Sequence, residues 1–268
     1  MTDAERKPSR SSDDAPHVQG AAAFSKFMTV LQAIADEPGK LNIGQLTKTL
    51  PYPRGTLYRI VTALAAEGLI VETTNGAYQL GHRLISLASR SWEASDLRSV
   101  ARAHIEALRD ATGETVHLAV PSGHCMVYID KLESPRTVRM ASRIGTRVDL
   151  HSTSVGKAYL AALSPVRRKE TVEALDLRRI TANTIITRAA LYAELEKTAA
   201  NGYAIDNEEN EGEIRCFGGA ILDRNGSPVG GVSLSIPLYR FDKAAEQSYV
   251  EEVKRAVKNI SAALSTII

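Results

Sequence analysis

The sequence predicts an α+β chain in two parts, a small three-helix module closed by a β-hairpin and a larger mixed domain behind it. Three observations carry that reading. Apolar residues recur at helical spacing three times before residue 70. Asn75-Gly76, the strongest short hairpin signal, sits between two β-rich runs. Beyond Gly113, strand-like runs joined by turn residues are mixed with helical runs, the order of an α+β domain.

Taken in order, Phe24, Phe27, Met28, Leu31 and Ile34 predict a first helix with one buried face, ended by Pro38-Gly39. Asn42 is placed to N-cap a second helix carrying Ile43, Leu46 and Leu50. "PYP" then makes a stiff turn, because each proline restricts itself and its predecessor. The third helix puts Leu57, Ile60, Val61 and Leu64 on one face and stops at Gly68. Helix, helix, turn, helix, hairpin is the order of a winged helix-turn-helix. "RLISLASRSWEA" reads as a connector helix, and the next helix carries Leu97, Ala101, His104, Ile105 and Leu108. "ETVHLAV", "CMVYIDKL" and "TVRMAS" read as three strands, the first two joined at Pro121-Ser122-Gly123. "STSVGKAYLAAL" and "SPVRRKETVEAL" read as helices, the second with Ser164 at its N-cap and Pro165 at its first position. Another helix, from Arg188 to Ala200, stops at Asn201-Gly202. "CFGGAILD" and "PVGGVSLSIP" flank "RNGS" as a second hairpin, and the last helix has Val250, Val253, Val257, Ile260 and Leu264 on one stripe. The expected layout is a disordered tail over 1–23, a winged helix-turn-helix over 24–81, a connector over 82–95 and the α+β domain over 96–268.

Composition narrows the classes. The chain has 268 residues, 44% apolar and 24% charged, with no apolar run long enough to span a bilayer. The first residues have no apolar core between their charges, so they do not read as a secretory signal, and the expected location is cytoplasmic. Two distant cysteines, Cys125 and Cys216, do not make a disulfide framework. From Phe24 to Trp92 seven basic residues face four acidic ones, whereas Asp206 to Glu213 is strongly acidic. A mildly basic front fits a module that meets a polyanion.

Packing accounts for the Leu57, Ile60, Val61, Leu64 stripe but not for Arg54, Thr56, Tyr58 and Arg59, crowded at the exposed beginning of the same helix. The second helix of a helix-turn-helix enters the major groove N-terminus first, so these side chains are expected to reach base edges and phosphates of double-stranded operator DNA. Thr73, Thr74 and Asn75, in the wing, are expected along the backbone or minor groove. Any single arginine is more often just solvated; the ordered combination of trihelix, helix polarity and wing reverses that reading.

The strings "LTKTLPYPRGTLYRIVTALAAEGLI", "YQLGHRLISLA", "MVYIDKLESP", "RIGTRVDLHSTSVGKAYLAAL" and "GYAIDNEENEGEIRCFGGAILDRNGSPVGGVSLSIP" resemble the IclR-type bacterial transcriptional regulators, over nearly the whole chain from Phe24. Gly55 stands where that family often has a serine, which removes one possible contact, and Asp149 stands where a proline is common. The resemblance implies a GAF-like effector domain and a homo-oligomer, dimeric or tetrameric. It also implies a repressor of a catabolic operon, released by a small organic acid or semialdehyde. Overall likeness points, within the family, to control of γ-butyrolactone and γ-hydroxybutyrate breakdown.

The expected effector pocket combines residue readings with that resemblance. "HSTSVGKA" starts a helix, whose unpaired amides suit an anion, and in the family the backbone at Ser154 and Val155 faces the effector. Capping by Ser152 or Thr153 is the plain alternative. A phosphate-loop reading fails, because His151 and Ala158 stand where glycine and a hydroxyl residue are required. Ser233 and Ser235 share a strand face that should be apolar, and family matching favours ligand contact over structural hydrogen bonding. Asp206 and Cys216 match positions that approach the effector, and Met140, Val148 and Ile214 match apolar lining positions. Asp206 is expected to orient a neighbour or accept a ligand hydroxyl, with Arg215 offsetting its charge.

Other readings compete. An enzyme would use Cys216 as nucleophile with His117 or His151 as base, but no active-site signature surrounds them. His117, His124, Cys125 and His151 match no paired zinc-ligand spacing, so no metal and no cofactor is expected. An activator of the same fold differs from a repressor only in where its operator lies.

Overall fold

The computed structural model describes residues 21–93, 96–137 and 140–267. The expected disorder of the tail falls mainly on residues 1–20, outside that set. The chain divides into two compact units, one ending at Ala94 and one running from Ser95 to Ile268.

The first unit contains α1 (Ala21–Asp36), α2 (Ile43–Thr49), α3 (Arg54–Ala66), β1 (Ile70–Glu72), β2 (Tyr78–Leu80) and α4 (His82–Glu93). Asn42 caps α2 through a full capping box: its side chain accepts from Gln45 N at 3.0 Å, and Gln45 Oε1 accepts from Asn42 N at 2.8 Å. Leu57, Ile60, Val61 and Leu64 close on Leu46 and on Val30, Leu31 and Ile34 of α1. The face of α1 is turned from the expected one. Phe24 and Met28 are exposed and Val30 is buried, because Phe27, Val30, Leu31 and Ile34 form a second apolar stripe of the same spacing. Helix α1 also begins inside the expected tail. At Gly81 the chain leaves the hairpin so close to α3 that a Cβ would lie 2.1 Å from the Gly68 carbonyl oxygen, which only glycine allows.

The second unit contains α5 (Asp96–Thr112), β3 (Thr115–Ser122), β4 (Cys125–Leu132), β5 (Arg147–Asp149), α6 (Ser154–Ala162), α7 (Pro165–Ala174), α8 (Arg188–Asn201), β6 (Ala204–Asn207), β7 (Ile214–Leu222), β8 (Pro228–Pro237) and α9 (Glu246–Ile267). The strands form one antiparallel sheet in the order β5-β4-β3-β8-β7-β6. Side chains alternate across it. Val116, Leu118, Phe217, Val232, Leu234 and Ile236 pack with α5 and α9 in one core. A second core joins Ala119, Met126, Tyr128 and Val148 to α6, α7 and α8.

One expected strand is not found among the described residues. Thr137 and Met140 to Ser142 of "TVRMAS" are not in a strand, and Val138 and Arg139 lie outside the described residues. The edge strand forms instead at Arg147–Asp149, paired with Cys125 to Val127. The Lys131 ammonium takes the carbonyls of Met140 and Ser142, each at 2.7 Å, so those acceptors are held by a side chain rather than a ladder. Ser164 stands at the α7 N-cap with Pro165 behind it, but its hydroxyl makes no capping bond.

Candidate functional site

The first surface is the start of α3. Pro53 leads into the helix and its carbonyl takes the amides of Thr56 and Leu57 at 2.9 and 3.1 Å. With Leu57 and Ile60 buried, helical geometry turns Arg54, Tyr58 and Arg59 outward. All three are exposed and Thr56 is half-buried. Among the described residues neither arginine has an ion-pair partner within the chain. In the wing the sequence reading separates into two roles. Thr73 and Asn75 build the turn: Thr73 Oγ1 donates to Ala77 O at 2.8 Å, and Asn75 Oδ1 accepts from Ala77 N at 3.2 Å. Thr74 stays exposed at the tip.

The second surface is a cavity of about 140 Å³ between the sheet and α6. All nine sequence-predicted effector positions line it: Met140, Val148, Ser154, Val155, Asp206, Ile214, Cys216, Ser233 and Ser235. Strand register explains how distant residues meet. Asp206 lies opposite Cys216, Cys216 opposite Ser235, and Ser233 opposite His117, and directly opposed residues share a face. The floor is open for α6 because Gly218 has no side chain. A Cβ there would lie 2.7 Å from the Ser154 backbone carbon. Thr153 caps α6 by accepting from Gly156 N at 3.2 Å, which leaves the amides of Ser154 and Val155 without helical partners.

A polar chain crosses the floor. The Cys216 thiol donates to Ser235 Oγ at 3.2 Å, Ser235 Oγ lies 3.4 Å from His117 Nδ1, and His117 Nε2 lies 2.7 Å from Ser142 Oγ. Burial, with help from the Lys131 charge, pushes the His117 imidazole down to about 3, so it is neutral. Burial raises the Cys216 thiol well above its usual range, helped by the Asp206 charge. A protonated thiol is a poor nucleophile, so this setting works against the nucleophile role weighed for Cys216.

Asp206 shapes the acidic loop beside it. Its Oδ1 accepts from Glu209 N at 2.8 Å and Asn210 N at 3.3 Å. Burial pushes its carboxyl up to about 7, against the pull of the two amides and of Lys157. The buried Lys157 ammonium is bonded to Glu209 and lies 3.5 Å from Glu194. Arg215 does not offset Asp206. It faces the other side of β7, 3.3 Å from Glu246 and over the Phe241 ring. Lys157 supplies the compensating charge, from a position the sequence reading passed over as part of "GK".

The cavity also takes in His117, Tyr128, Ser142, Thr146, Thr153, Asn210 and Glu211. For His117 a signal existed, since it alternates onto the same strand face as Thr115 and Ala119. Ser142, Thr146 and Asn210 come from loops, whose placement no periodicity encodes. His151, weighed as a base or metal ligand, instead donates to Arg178 O at 3.1 Å.

One unit thus presents a cationic helix start without an ion-pair partner among the described residues, and the other holds a polar cavity. Residues 24–73 match the IclR helix-turn-helix domain, and residues 90–262 match the bacterial transcriptional regulator IclR C-terminal domain. The chain belongs to the IclR family of bacterial transcriptional regulators. It is 33% identical over 238 residues to the HTH-type transcriptional regulator KdgR of Escherichia coli, covering 88% of this chain and 90% of that one. It is 29% identical over 265 residues to the HTH-type transcriptional repressor AllR of Salmonella typhi, covering 98% and 97%. The Thermotoga maritima IclR structure superposes with a TM-score of 0.74 at 34% identity, over 91% of this chain and 99% of that one. An IclR homolog from Microbacterium hydrocarbonoxydans, solved with 4-hydroxybenzoate, has the same fold, with a TM-score of 0.77 at 23% identity, over 91% and 99% of the chains.

Proposed function

We propose that the chain represses a catabolic operon and releases its operator when a small organic acid or semialdehyde fills the cavity of the second unit. The observation that carries the sensing half is the start of α6, where the amides of Ser154 and Val155 lack helical partners and both residues line a cavity shared with Ser233, Ser235 and Cys216. The reading half rests on Arg54, Thr56, Tyr58 and Arg59 at the exposed start of α3, with Thr74 at the wing tip. Two copies in a homodimer, or four in a tetramer, would present two such helices to two half-sites. Repression, rather than activation, is favoured by the named repressor role of the AllR relatives. Among the described residues no helix is long and apolar enough to cross a membrane. The protein would work where the DNA is, in the bacterial cytoplasm.

The test is fluorescence anisotropy with DNA from upstream of the protein's own gene and its neighbours, against excess nonspecific DNA. A panel of small acids and semialdehydes, γ-hydroxybutyrate and succinic semialdehyde included, is added afterwards. Competitor-resistant binding released by one compound is expected. Specific binding that no compound releases would sink the sensing half, and absence of any specific binding would sink the reading half.

A further inference from the structure

One stretch of the cavity wall has strained backbone. Asp206 and Ile214 stand at the two ends of the loop that joins β6 to β7, and Asn210 and Glu211, in the middle of that loop, line the cavity. Among the described residues only two that are not glycine have left-handed backbone, Glu208 at φ 59° and Glu213 at φ 62°. A Cβ makes that conformation unfavourable. Both residues belong to this loop, and they bracket residues 209–212.

Side chains from outside the loop tie it down. The Thr181 hydroxyl donates to Glu208 O at 2.6 Å, and the Thr184 hydroxyl donates to Glu209 O at 2.7 Å. Asp206 Oδ1 holds the amides of Glu209 and Asn210, and Ser152 Oγ donates to Asn210 Oδ1 at 3.2 Å. The central fastening is the Lys157 ammonium, which reaches from α6 to bond Glu209 Oε1 and lies 3.5 Å from Glu194. Lys157 is fully buried and Glu209 nearly so, so each charge depends on the other in place of water. The second carboxylate oxygen, Glu209 Oε2, is buried with no partner among the described residues. A segment fastened by polar side chains and bracketed by strained backbone opens more readily than the strands it joins. The other loop at the cavity lacks this strain. The carbonyls of Met140 and Ser142 rest on the Lys131 ammonium, and none of its described residues other than glycine is left-handed.

We infer that residues 208–213 form a gate on the cavity, hinged at Glu208 and Glu213 and latched shut by Lys157 through Glu209. The inference rests on reading the cavity as a ligand site and adds how a ligand enters it. Opening turns Asn210 and Glu211 away from the cavity and lets both hinge residues leave the left-handed region. Lys157 does not line the cavity, so it acts through the loop, as a positioning residue.

Hydrogen–deuterium exchange of the full chain, followed by mass spectrometry without any ligand, tests the gate. Lys157→Met/Glu209→Gln removes both charges together and leaves no uncompensated ion. Exchange over 208–213 is expected to rise at least about tenfold in that variant, while β3, β7 and β8 keep their parent rates. Glu213→Asn works in the opposite direction. Its side chain is exposed, and asparagine tolerates left-handed backbone better than glutamate, so the closed loop is relieved and exchange over 208–213 is expected to slow by about threefold. This second variant tests the hinge even if the buried pair does not tolerate replacement. Exchange that rises equally in the loop and the sheet would make Lys157 a support of the whole domain and overturn the latch. Loop exchange unchanged in the double variant would overturn it as well. Loop exchange unchanged or faster in Glu213→Asn would overturn the strained hinge. Each of these failures leaves the ligand reading of the cavity standing, because no ligand takes part in the measurement.

Discussion

Asp206 and His117 face one cavity, and burial shifts them in directions that oppose each other in their effect on stability. Folded, Asp206 keeps its proton up to about 7; unfolded, it loses it near 3.8. Its contribution is therefore full below the unfolded value and is lost as pH rises toward 7. His117 titrates at about 3 when folded and near 6.5 when unfolded, so its contribution is present above 6.5 and is lost as pH falls. Between about pH 4 and about pH 6.5 the folded chain binds one proton more at Asp206 and one fewer at His117, and the two slopes cancel. Urea midpoints would show it. Relative to the parent, Asp206→Asn is expected to gain stability as pH rises from about 4 to about 8. His117→Gln is expected to gain as pH falls over the same range. Difference curves flat with pH would show that neither group is shifted. Arg54 gives a second prediction at this scale. It is exposed and has no ion-pair partner among the described residues, so Arg54→Ala is expected to weaken operator binding by about 1–3 kcal/mol if it reads a base. If it holds only a phosphate, binding weakens uniformly across sequences and the log–log salt slope falls by about one. Anisotropy at several salt concentrations separates the two, and unchanged affinity removes Arg54 from the interface.

Helix α6 shows how a site is positioned by elements. Its N-terminus reaches the sheet because three small-residue contacts permit it: Gly218 under Ser154, Gly231 near Val155, and Gly156 against Leu150. A methyl group at Gly156 would lie 2.5 Å from both the Leu150 Cα and its carbonyl oxygen, and neither backbone atom can turn away. Gly156→Ala is expected to cost about 1–3 kcal/mol and to weaken ligand binding, because α6 must move off the cavity. Gly55, with nothing within 4 Å of its would-be Cβ, is the control: Gly55→Ala is expected to be neutral or stabilising by up to about 1 kcal/mol. Thermal melts of the two variants decide it, and equal shifts would refute the packing argument. The same elements show what was legible in the sequence. The N-cap at Asn42, the α3 stripe and both hairpins are local, so residue type and spacing were enough to read them. The α1 face was misread because two apolar stripes of equal spacing compete, and only tertiary packing on α3 chooses between them. "TVRMAS" was misread because β-propensity is weak beside a specific contact, here the Lys131 ammonium on two carbonyls. The pocket strands were readable by alternation, whereas Lys157 and Asn210 were not, since their roles depend on how α6 and the 208–213 loop meet.

At the scale of the whole molecule, each unit holds its own core, and an influence of a ligand in the cavity on operator binding is a matter of linkage. A ligand in the cavity can alter operator affinity only by as much as its own affinity differs between the operator-bound and free arrangements. Such coupling is typically about 1–3 kcal/mol, roughly 5- to 150-fold in affinity. Linkage is reciprocal: if the effector weakens operator binding by some factor, saturating operator must weaken effector binding by the same factor. That equality can be measured on the full chain, by effector titration with and without operator DNA and by operator titration with and without effector. Ser235→Val should separate the two halves of the cycle. Ser235 bonds to Cys216 and lies beside His117 in the cavity, distant in sequence from the helix that would read DNA. The variant is expected to keep operator affinity without effector and to lose most of the effector's influence. If operator affinity without effector collapsed in Ser235→Val, the two units would not divide reading from sensing. If the two coupling factors differed, the effector binding being titrated would not be the binding that governs operator affinity.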